Sequence, residues 1–91
     1  MKLSVIIPIY NEEESLDNLF KELSDLFTDE SGTEIIFIND GSTDQTLSIL
    51  EHKIKNYSRW KILNLYRNYG KSVALQAGFD TAKGEIIATM D

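Results

Sequence analysis

Four short apolar runs alternate with three segments of helical periodicity along this 91-residue chain. The first run, Leu3 to Ile9, is β-branched and apolar on both faces, which is typical of a fully buried strand that Pro8 helps to close. Glu34 to Asn39 has the same character. Trp60 to Tyr66 instead alternates polar and apolar residues, as an edge or half-covered strand does. Glu85 to Met90 is the fourth predicted strand.

The segment after the first strand predicts an amphipathic helix. Its apolar residues recur at helical spacing and form one stripe, which consists of Leu16, Leu19, Phe20, Leu23, Leu26 and Phe27. Asn11, with Glu14 three positions later, predicts an N-terminal capping box. The polar segment from Thr28 to Gly32 is expected to end the helix.

Two further helices follow the second and third strands. The first of them carries Leu47, Leu50, Ile54 and Tyr57 on one side, and a Ser or Thr of the preceding turn, residues 40–44, is expected to cap it. Residues 67–71 are predicted to form a loop. The last helix, Ser72 to Lys83, is rich in small residues, and a cation and a glycine at Lys83 and Gly84 end it.

This alternation predicts an α/β fold with a parallel sheet, right-handed crossovers and helices on both faces. The expected strand order is 3-2-1-4, so the order reverses between the first and fourth strands. Ligands of such sheets bind beyond the carboxyl ends of the strands at that point. The residues that follow the four strands are polar and should collect at one rim of the sheet: residues 10–12, 40–42, 67–68 and Asp91.

Composition narrows the class of protein. A hydrophobic content of 42% and a charged content of 26% fit one small globular domain, residues 1–91. The net charge of −6 argues against nucleic acid as a partner, because phosphate backbones require clustered cations. The absence of cysteine excludes disulfides and thiolate sites. No apolar run is long enough to span a bilayer or to form a signal peptide, so the chain is assigned to the cytoplasm.

Four sequence strings carry a resemblance to a known enzyme family. They are SVIIPIYNEE from Ser4, INDGSTDQT from Ile38, RNYGK from Arg67 and GEIIATMD from Gly84. In this order and spacing they resemble the family-two glycosyltransferases, particularly the polyprenyl-phosphate and dolichol-phosphate sugar transferases. The resemblance covers nearly the whole chain. It implies the Rossmann-like, three-layer donor-binding half of a GT-A fold.

The resemblance implies a pocket for the nucleotide of a UDP-sugar or GDP-sugar donor. Pro8, Tyr10 and Glu12 match residues that line the base and ribose. A tyrosine ring offers a packing surface, and a carboxylate accepts hydrogen bonds from ribose hydroxyls. Ile38 and Asp40 match the other side of the base pocket, where Asp40 would accept a hydrogen bond from a ring N–H.

The resemblance also implies a place for the diphosphate and a metal ion. Lys71 and Arg67 would supply positive charge, and Asp91 matches the first carboxylate of an Asp-x-Asp motif that holds Mg²⁺ or Mn²⁺. A carboxylate beside a diphosphate needs a bridging cation, because like charges about 4 Å apart repel by roughly 4 kcal/mol at an effective dielectric near 20. The chain stops at Asp91, so the second carboxylate, the acceptor-binding half and any membrane anchor are expected in a longer protein.

The implied reaction is an inverting transfer of a hexose to a polyprenyl phosphate at the cytosolic face of the membrane. An anionic phosphate acceptor needs no protein base, and no residue of this chain is assigned as one. The 91-residue chain alone is expected to be inactive. Truncation after the fourth strand would leave an unpaired edge, so self-association is also expected.

Two alternatives remain open on the sequence alone. A non-catalytic nucleotide-binding module or degenerate remnant would keep the base pocket without the transfer. An α/β interaction or signalling domain would need none of the ligand contacts. Each polar residue also has a plain structural explanation, because residues 40–44 could form a turn and cap and Glu12 could interact with the helix dipole. What favours the ligand site is the expected gathering of these groups at one rim.

Overall fold

The computed structural model describes residues 2–27 and 32–90. Within them the chain forms four strands and three α-helices, which alternate along the sequence. In chain order the elements are β1 (Leu3–Ile9), α1 (Leu16–Leu26), β2 (Thr33–Asp40), α2 (Thr46–Lys53), a short 3₁₀ helix (Ile54–Asn56), β3 (Trp60–Leu65), α3 (Lys71–Thr81) and β4 (Ile86–Thr89).

The strands form one parallel sheet in the order β3-β2-β1-β4, which confirms the predicted topology. β1 and β2 pair over seven positions from Leu3↔Thr33 to Ile9↔Asn39. Both strands are buried along almost their whole length, as their uninterrupted apolar runs predict. β3 pairs with β2 alone and is partly exposed, in agreement with its alternating pattern.

The larger core lies between the sheet and the two helices α1 and α2. Phe20 of α1 stacks on Phe37 of β2 with ring centroids 5.0 Å apart, and Tyr57 stacks on Trp60 at 3.9 Å. Leu16 and Leu23 are buried with Phe20, so most of the predicted stripe faces this core. Leu26, the exception, is 65% exposed.

Among the described residues, α3 is the one helix that covers the opposite face of the sheet, and the packing there is thin. Its buried cluster consists of Ile6, Ile36, Ile38 and Ala74. Gly78 lies against β1 so closely that an added Cβ would stand 2.5 Å from Cγ2 of Ile6. The small residues predicted on this helix therefore let it approach the strands.

The predicted helix starts were wrong in two places. α1 begins at Leu16 behind Ser15, and no side-chain hydrogen bond caps it, so Asn11 and Glu14 do not form a capping box. α2 begins at Thr46, and its first-turn N–H group is met by Asp44, whose Oδ1 lies 2.9 Å from the Thr46 amide, not by a Ser or Thr side chain. In both cases the expected capping side chains contact the neighbouring loop.

Other boundaries moved by a few residues. α3 runs from Lys71 to Thr81, one residue earlier at its start and two at its end than the sequence predicts. The second helix is interrupted, because residues 54–56 form a 3₁₀ turn. The predicted end of the first helix at residues 28–31 lies outside the described part of the chain. Among the residues described, no helix has the length and apolar character needed to cross a bilayer.

Candidate functional site

A cleft of about 360 Å³ opens at the carboxyl ends of β1 and β2. The loop after β1 forms one wall, and the loop that leads from β3 into α3 forms the other. The lining residues are Pro8, Ile9, Tyr10, Glu12, Asp40, Asn68, Gly70 and Lys71. The described part of β4 does not reach this cleft, although the sheet order predicts a ligand site between β1 and β4.

The first wall carries the side chains of Tyr10 and Glu12. Both residues follow β1 directly, where the chain leaves the sheet and turns toward α1. Tyr10 is 45% exposed, which is high for an aromatic ring that borders a cleft. Glu12 accepts a 2.7 Å hydrogen bond from the Ser15 hydroxyl, so its carboxylate is oriented by the start of α1.

This wall is latched to the loop that follows β2. Asn11 has a positive φ of 50°, and in this conformation its Oδ1 accepts a 2.8 Å hydrogen bond from the Thr43 amide. The backbone amide of Asn11 donates to the Ser42 hydroxyl at 2.9 Å. Asn tolerates the left-handed conformation better than most residues. The residues that predict helix caps therefore join two loops instead.

A second set of bonds strengthens the latch near α2. The Glu12 amide donates to Oγ1 of buried Thr46 at 2.9 Å, and the Gln45 amide donates to the Glu13 carboxylate at 3.1 Å. Partial desolvation acts to raise the pKa of Asp44, but hydrogen bonds from Thr46 and from the Glu13 amide outweigh it and lower that pKa below its usual value. Asp44 thus stays ionised at the start of α2, where negative charge is favourable.

The floor of the cleft is Asp40, whose carboxylate organises the opposite wall. Oδ1 accepts a 2.9 Å hydrogen bond from the Tyr69 amide, and Oδ2 accepts bonds from the Gly70 amide at 3.0 Å and from the Asn68 side chain at 3.1 Å. The Asn68 side chain also donates to the Asp40 carbonyl at 3.2 Å. Asp40 therefore fixes the loop that delivers α3 to the cleft.

Gly41 allows this loop to come close to β2. Its φ of +70° lies in the left-handed region, and a Cβ at this position would stand 2.1 Å from the carbonyl carbon of Arg67. Only glycine meets both conditions without strain. Asp40 and Gly41 therefore form a turn and also contact the loop of residues 67–70 directly, Asp40 by hydrogen bonds and Gly41 by close packing.

The structure brings five of the predicted site residues together and places two elsewhere. Pro8, Tyr10, Glu12, Asp40 and Lys71 all line the cleft. Ile38 is fully buried in the core under α3 and does not line it. Arg67 is also absent from its lining, and Asp91 lies outside the described residues.

Arg67 belongs to an exposed aromatic group beside the cleft. Its guanidinium lies 4.8 Å from the centroid of the Tyr69 ring, a cation–π contact. The Tyr66 ring stands at 90° to the Tyr69 ring, with centroids 5.8 Å apart. A hydrogen bond with Tyr69 raises the pKa of Tyr66 above its usual value of 10.0. The charge of Arg67 is thus directed to an aromatic face.

Sequence reasoning assigned no role to two residues of the second wall. Asn68 and Gly70 line the cleft and donate hydrogen bonds to Asp40. The available signal was the string RNYGK at the end of a predicted strand, which placed an amide and a glycine at the same rim. It did not reveal that the partner of this loop is 28–30 residues earlier in the chain.

The described residues do not by themselves form a metal centre. Residues 2–27 and 32–90 contain no group of three His, Asp or Glu side chains placed to hold one ion. The predicted ligand, Asp91, lies outside the described residues. The metal assignment therefore stays a prediction.

Comparison with known proteins agrees with the geometry of the fold. The sequence profile of glycosyl transferase family 2 matches residues 4–91. The dodecaprenyl-phosphate galacturonate synthase of Rhizobium johnstonii is 39% identical over 93 residues, which cover all of this chain and 28% of that protein.

Two solved structures share the fold. Staphylococcus aureus TarS (1–349) in complex with UDP-GlcNAc superposes with a TM-score of 0.88 and is 34% identical, covering 100% of this chain and 26% of that one. The mannosyltransferase PcManGT of Pyrobaculum calidifontis, in complex with GDP-Man and Mn²⁺, has a TM-score of 0.70 and 26% identity, covering 94% and 26%. The GT-A fold implied by the resemblance is thereby confirmed. The chain spans less than a third of the length of each of these proteins.

Proposed function

We propose that this chain, which belongs to glycosyl transferase family 2, binds the nucleotide of a UDP-sugar or GDP-sugar donor in the cleft between β1, β2 and α3. One observation carries the proposal. Pro8, Tyr10, Glu12, Asp40 and Lys71, chosen from the sequence for a nucleotide, border one space of about 360 Å³. This volume lies in the range of small-molecule sites.

The two walls fit the two sides of a nucleoside. The half-exposed ring of Tyr10 supplies a face for the base, and the Glu12 carboxylate supplies an acceptor for ribose hydroxyls. A carboxylate has about four acceptor positions. The loop of residues 68–70 occupies three of those of Asp40, and the remaining one on Oδ1 is available to a ring N–H of uracil or guanine.

Lys71 gives the cleft its positive charge at the start of α3. In a chain with a net charge of −6, an anionic ligand has to be met by a local cation. Lys71 therefore serves the diphosphate in this proposal. Arg67 serves it only if a ligand draws its guanidinium away from the Tyr69 ring.

For the longer protein we propose an inverting hexosyl transfer to a polyprenyl phosphate at the cytosolic face of a membrane. A phosphate oxygen of the acceptor bonds to the anomeric carbon, and the bond to the nucleoside diphosphate breaks, with its electron pair leaving on the diphosphate. The described residues contribute to this step by binding and orienting the donor. A Mg²⁺ or Mn²⁺ ion near Asp91 would supply charge neutralisation for the leaving group.

The nucleotide site is tested by calorimetry of the 91-residue chain with UDP, GDP and uridine. Tyr10→Ala is expected to weaken UDP and uridine binding alike, by about tenfold, because a base–aromatic stack contributes about 1–3 kcal/mol. Lys71→Met is expected to weaken UDP about fivefold and to leave uridine unchanged, because it removes a charge that only the diphosphate uses.

Two matched variants control for composition. Tyr66→Ala removes an 85% exposed tyrosine outside the cleft, and Lys55→Met removes an exposed lysine of the 3₁₀ helix. Both should leave UDP affinity within twofold. Equal losses in Tyr66→Ala and Tyr10→Ala, or no binding of either nucleotide by the original chain, would show that the cleft is not the nucleotide site.

Transfer itself is tested in the longer protein with a radiolabelled nucleotide sugar and a short polyprenyl phosphate. Sugar on the lipid with an inverted anomeric configuration is the expected result. Nucleotide binding without transfer, with metal and acceptor present, would instead establish the non-catalytic alternative. An inactive 91-residue chain beside an active longer protein would support the assignment of this chain to donor binding.

Self-association also stays a prediction. In the described residues β4 pairs only with β1, and its Ile86 and Ile87 are 66% and 42% exposed. An open edge of this kind favours strand pairing between copies. Light scattering at micromolar concentrations should show dimers, and a monomer throughout that range would contradict the prediction.

A further inference from the structure

The fourth strand does not set its own register by burial. β1 and β2 are buried on both faces, so a shift of either strand would disrupt close packing on each side of the sheet, and their pairing is fixed by packing. β4 has four residues, and three of them are exposed, including Ile86 and Ile87, whose side chains point to opposite faces. A shift of β4 along β1 by one or two residues, about 3.3 Å each, would therefore cost little buried area, and a two-residue shift keeps the same side chains on each face.

A buried carboxylate holds the turn that begins this strand. Glu34 of β2 is fully buried on the α3 face of the sheet, at the end opposite the cleft. Its Oε2 accepts a 2.7 Å hydrogen bond from the Lys83 amide and a 2.5 Å bond from the Ser4 hydroxyl. The Lys61 ammonium of β3 lies 2.9 Å from Oε1. One side chain thus ties three strands to the turn before β4.

Ser4 fixes the next residue of the same turn. Its Oγ accepts a 2.8 Å hydrogen bond from the Gly84 amide while it donates to Glu34. A Cβ on Gly84 would stand 2.6 Å from the Ser4 backbone nitrogen, so the turn rests directly on β1. Two consecutive amides, of Lys83 and Gly84, are held two residues before Ile86 pairs with Leu3.

We propose that Glu34, acting with Ser4, is a positioning residue that sets the register of β4 against β1. Two fixed amides at the entry of a short strand decide which residues pair along it. The register Leu3↔Ile86 to Ile6↔Thr89 then places Met90, whose amide donates to the Ile6 carbonyl, at the carboxyl rim of the sheet. Any residue that follows Met90 depends on the same alignment.

The chain has no cysteine, so its register can be read by engineered disulfides. Leu3→Cys with Ile86→Cys joins two paired positions, whose Cα atoms in neighbouring strands are about 4.8 Å apart. Leu3→Cys with Ala88→Cys joins positions two residues out of register on the same face. These Cα atoms are about 8 Å apart, which is too far for a disulfide unless the strand slips.

The measured quantity is the ratio of the two cross-linking rates in glutathione buffer. In the otherwise unchanged chain we expect the paired positions to close at least tenfold faster. Glu34→Ala should lower this ratio at least fivefold. Glu34→Gln should keep it within twofold, because an amide oxygen can accept the bonds from Ser4 and Lys83.

Lys61→Met is the matched control, because it removes the ion pair but neither of the bonds that hold the turn. It should lower stability and leave the ratio within twofold. A ratio unchanged in a folded Glu34→Ala chain, as judged by circular dichroism, would overturn the proposal. If Glu34→Ala does not fold, Ser4→Ala decides, since it releases the Gly84 amide and removes one donor to Glu34 but leaves the bond from Lys83 to Glu34 in place. An unchanged ratio there overturns the proposal, and a lowered one supports it.

This test is separate from that of nucleotide binding. The cross-linking ratio is measured without ligand and involves no residue of the cleft. A chain that binds no nucleotide but shows the expected ratios would contradict the proposed function and leave the register proposal intact. A chain that binds nucleotide but shows a cross-linking ratio unchanged in Glu34→Ala would support the proposed function and contradict the register proposal.

Discussion

The two ends of α3 are held by two carboxylates of the same strand, and the two sites differ in how they are closed. Glu34, at the amino end of β2, is fully buried, and the Lys61 ammonium meets its charge within the protein. Asp40, at the carboxyl end, is 4% exposed and borders an open cleft. Its donors are two backbone amides and the Asn68 side chain.

The difference shows how one strand can supply both structure and a site. Glu34 and Asp40 each have three donors, but Glu34 is fully buried and borders no part of the cleft, so a ligand there does not reach it. Asp40 also fixes a wall of the cleft, but it lines the cleft itself, so a ligand bound there can contact it. Burial of an acidic residue therefore does not distinguish the two roles, whereas access from a cleft does.

Replacing Glu34 should give the largest effect on stability. Glu34→Ala removes a buried ion pair and leaves the Lys83 amide and the Ser4 hydroxyl without an acceptor, which should cost about 3 kcal/mol. Urea unfolding measures the change. Glu51→Ala, at an exposed position of α2, is the control and should change the free energy of unfolding by less than about 0.5 kcal/mol. Similar losses of stability in Glu34→Ala and Glu51→Ala would contradict the structural role of Glu34.

Low pH should destabilise the protein mainly by protonating Glu34, at the amino end of β2. Burial tends to raise the pKa of Glu34, but hydrogen bonds from Ser4, Lys83 and Lys61, with the Lys61 charge, lower it from 4.5 to about 2. The stabilisation is therefore present above pH 4.5 and is lost as the pH falls toward 2. It amounts to about 3 kcal/mol at most. Unfolding curves between pH 7 and pH 2 should be flatter for Glu34→Gln, and parallel curves would argue against this pKa.

Replacing Gly41, which packs against the loop of residues 67–70, should have an intermediate effect on stability. Gly41→Ala forces a side chain into the left-handed region and against the backbone of Arg67, so about 2 kcal/mol of stability should be lost. The loop of residues 67–70 should move with it, and UDP affinity should fall. Gly32→Ala is the comparison, because Gly32 also has a positive φ, but the atoms nearest to an added Cβ are side-chain carbons of Lys2 at 3.7–3.9 Å, an ordinary contact distance. Equal behaviour of the two variants would contradict the role of close contact.

Asp40→Asn should give the smallest loss of stability but a clear loss of binding. The amide keeps one acceptor oxygen, so about 1 kcal/mol of stability should be lost as the bonds to Tyr69, Gly70 and Asn68 weaken. UDP affinity should fall about tenfold, since a donor replaces the acceptor that faces the base. Calorimetry and urea unfolding on the same samples separate the two effects. Unchanged affinity would exclude Asp40 from the base pocket.

The order of the elements and of the strands could be predicted because it depends on local patterns. The apolar runs of β1 and β2 and the alternation of β3 are properties of consecutive residues, and crossover rules supply the rest. The helix caps could not be predicted in this way. Asn11 and Thr43 are 32 residues apart, and their hydrogen bond exists only because two loops meet at the same rim.

The candidate site was predictable in part for the same reason. Tyr10, directly after β1, and Asp40, the last residue of β2, reach the cleft, as the carboxyl-end rule predicts. Ile38 lies on the same face of β2 as Asp40, but α3 covers it, and two residues of sequence separate core from cleft. The part played by residues 68–70 depends on bonds to Asp40 across 28–30 positions, which no local pattern contains.

The bonds between the loops after β1 and β2 make these loops a single body. The Asn11 side chain accepts a hydrogen bond from the Thr43 amide, and Oγ1 of Thr46 accepts one from the Glu12 amide. The segments that lead into α1 and α2 are therefore bonded to each other. A ligand that contacts only Glu12 would thus also affect the hydrogen bonds at the beginning of α2. Amide exchange at Thr43 and Thr46 could report occupancy of a cleft that neither residue lines.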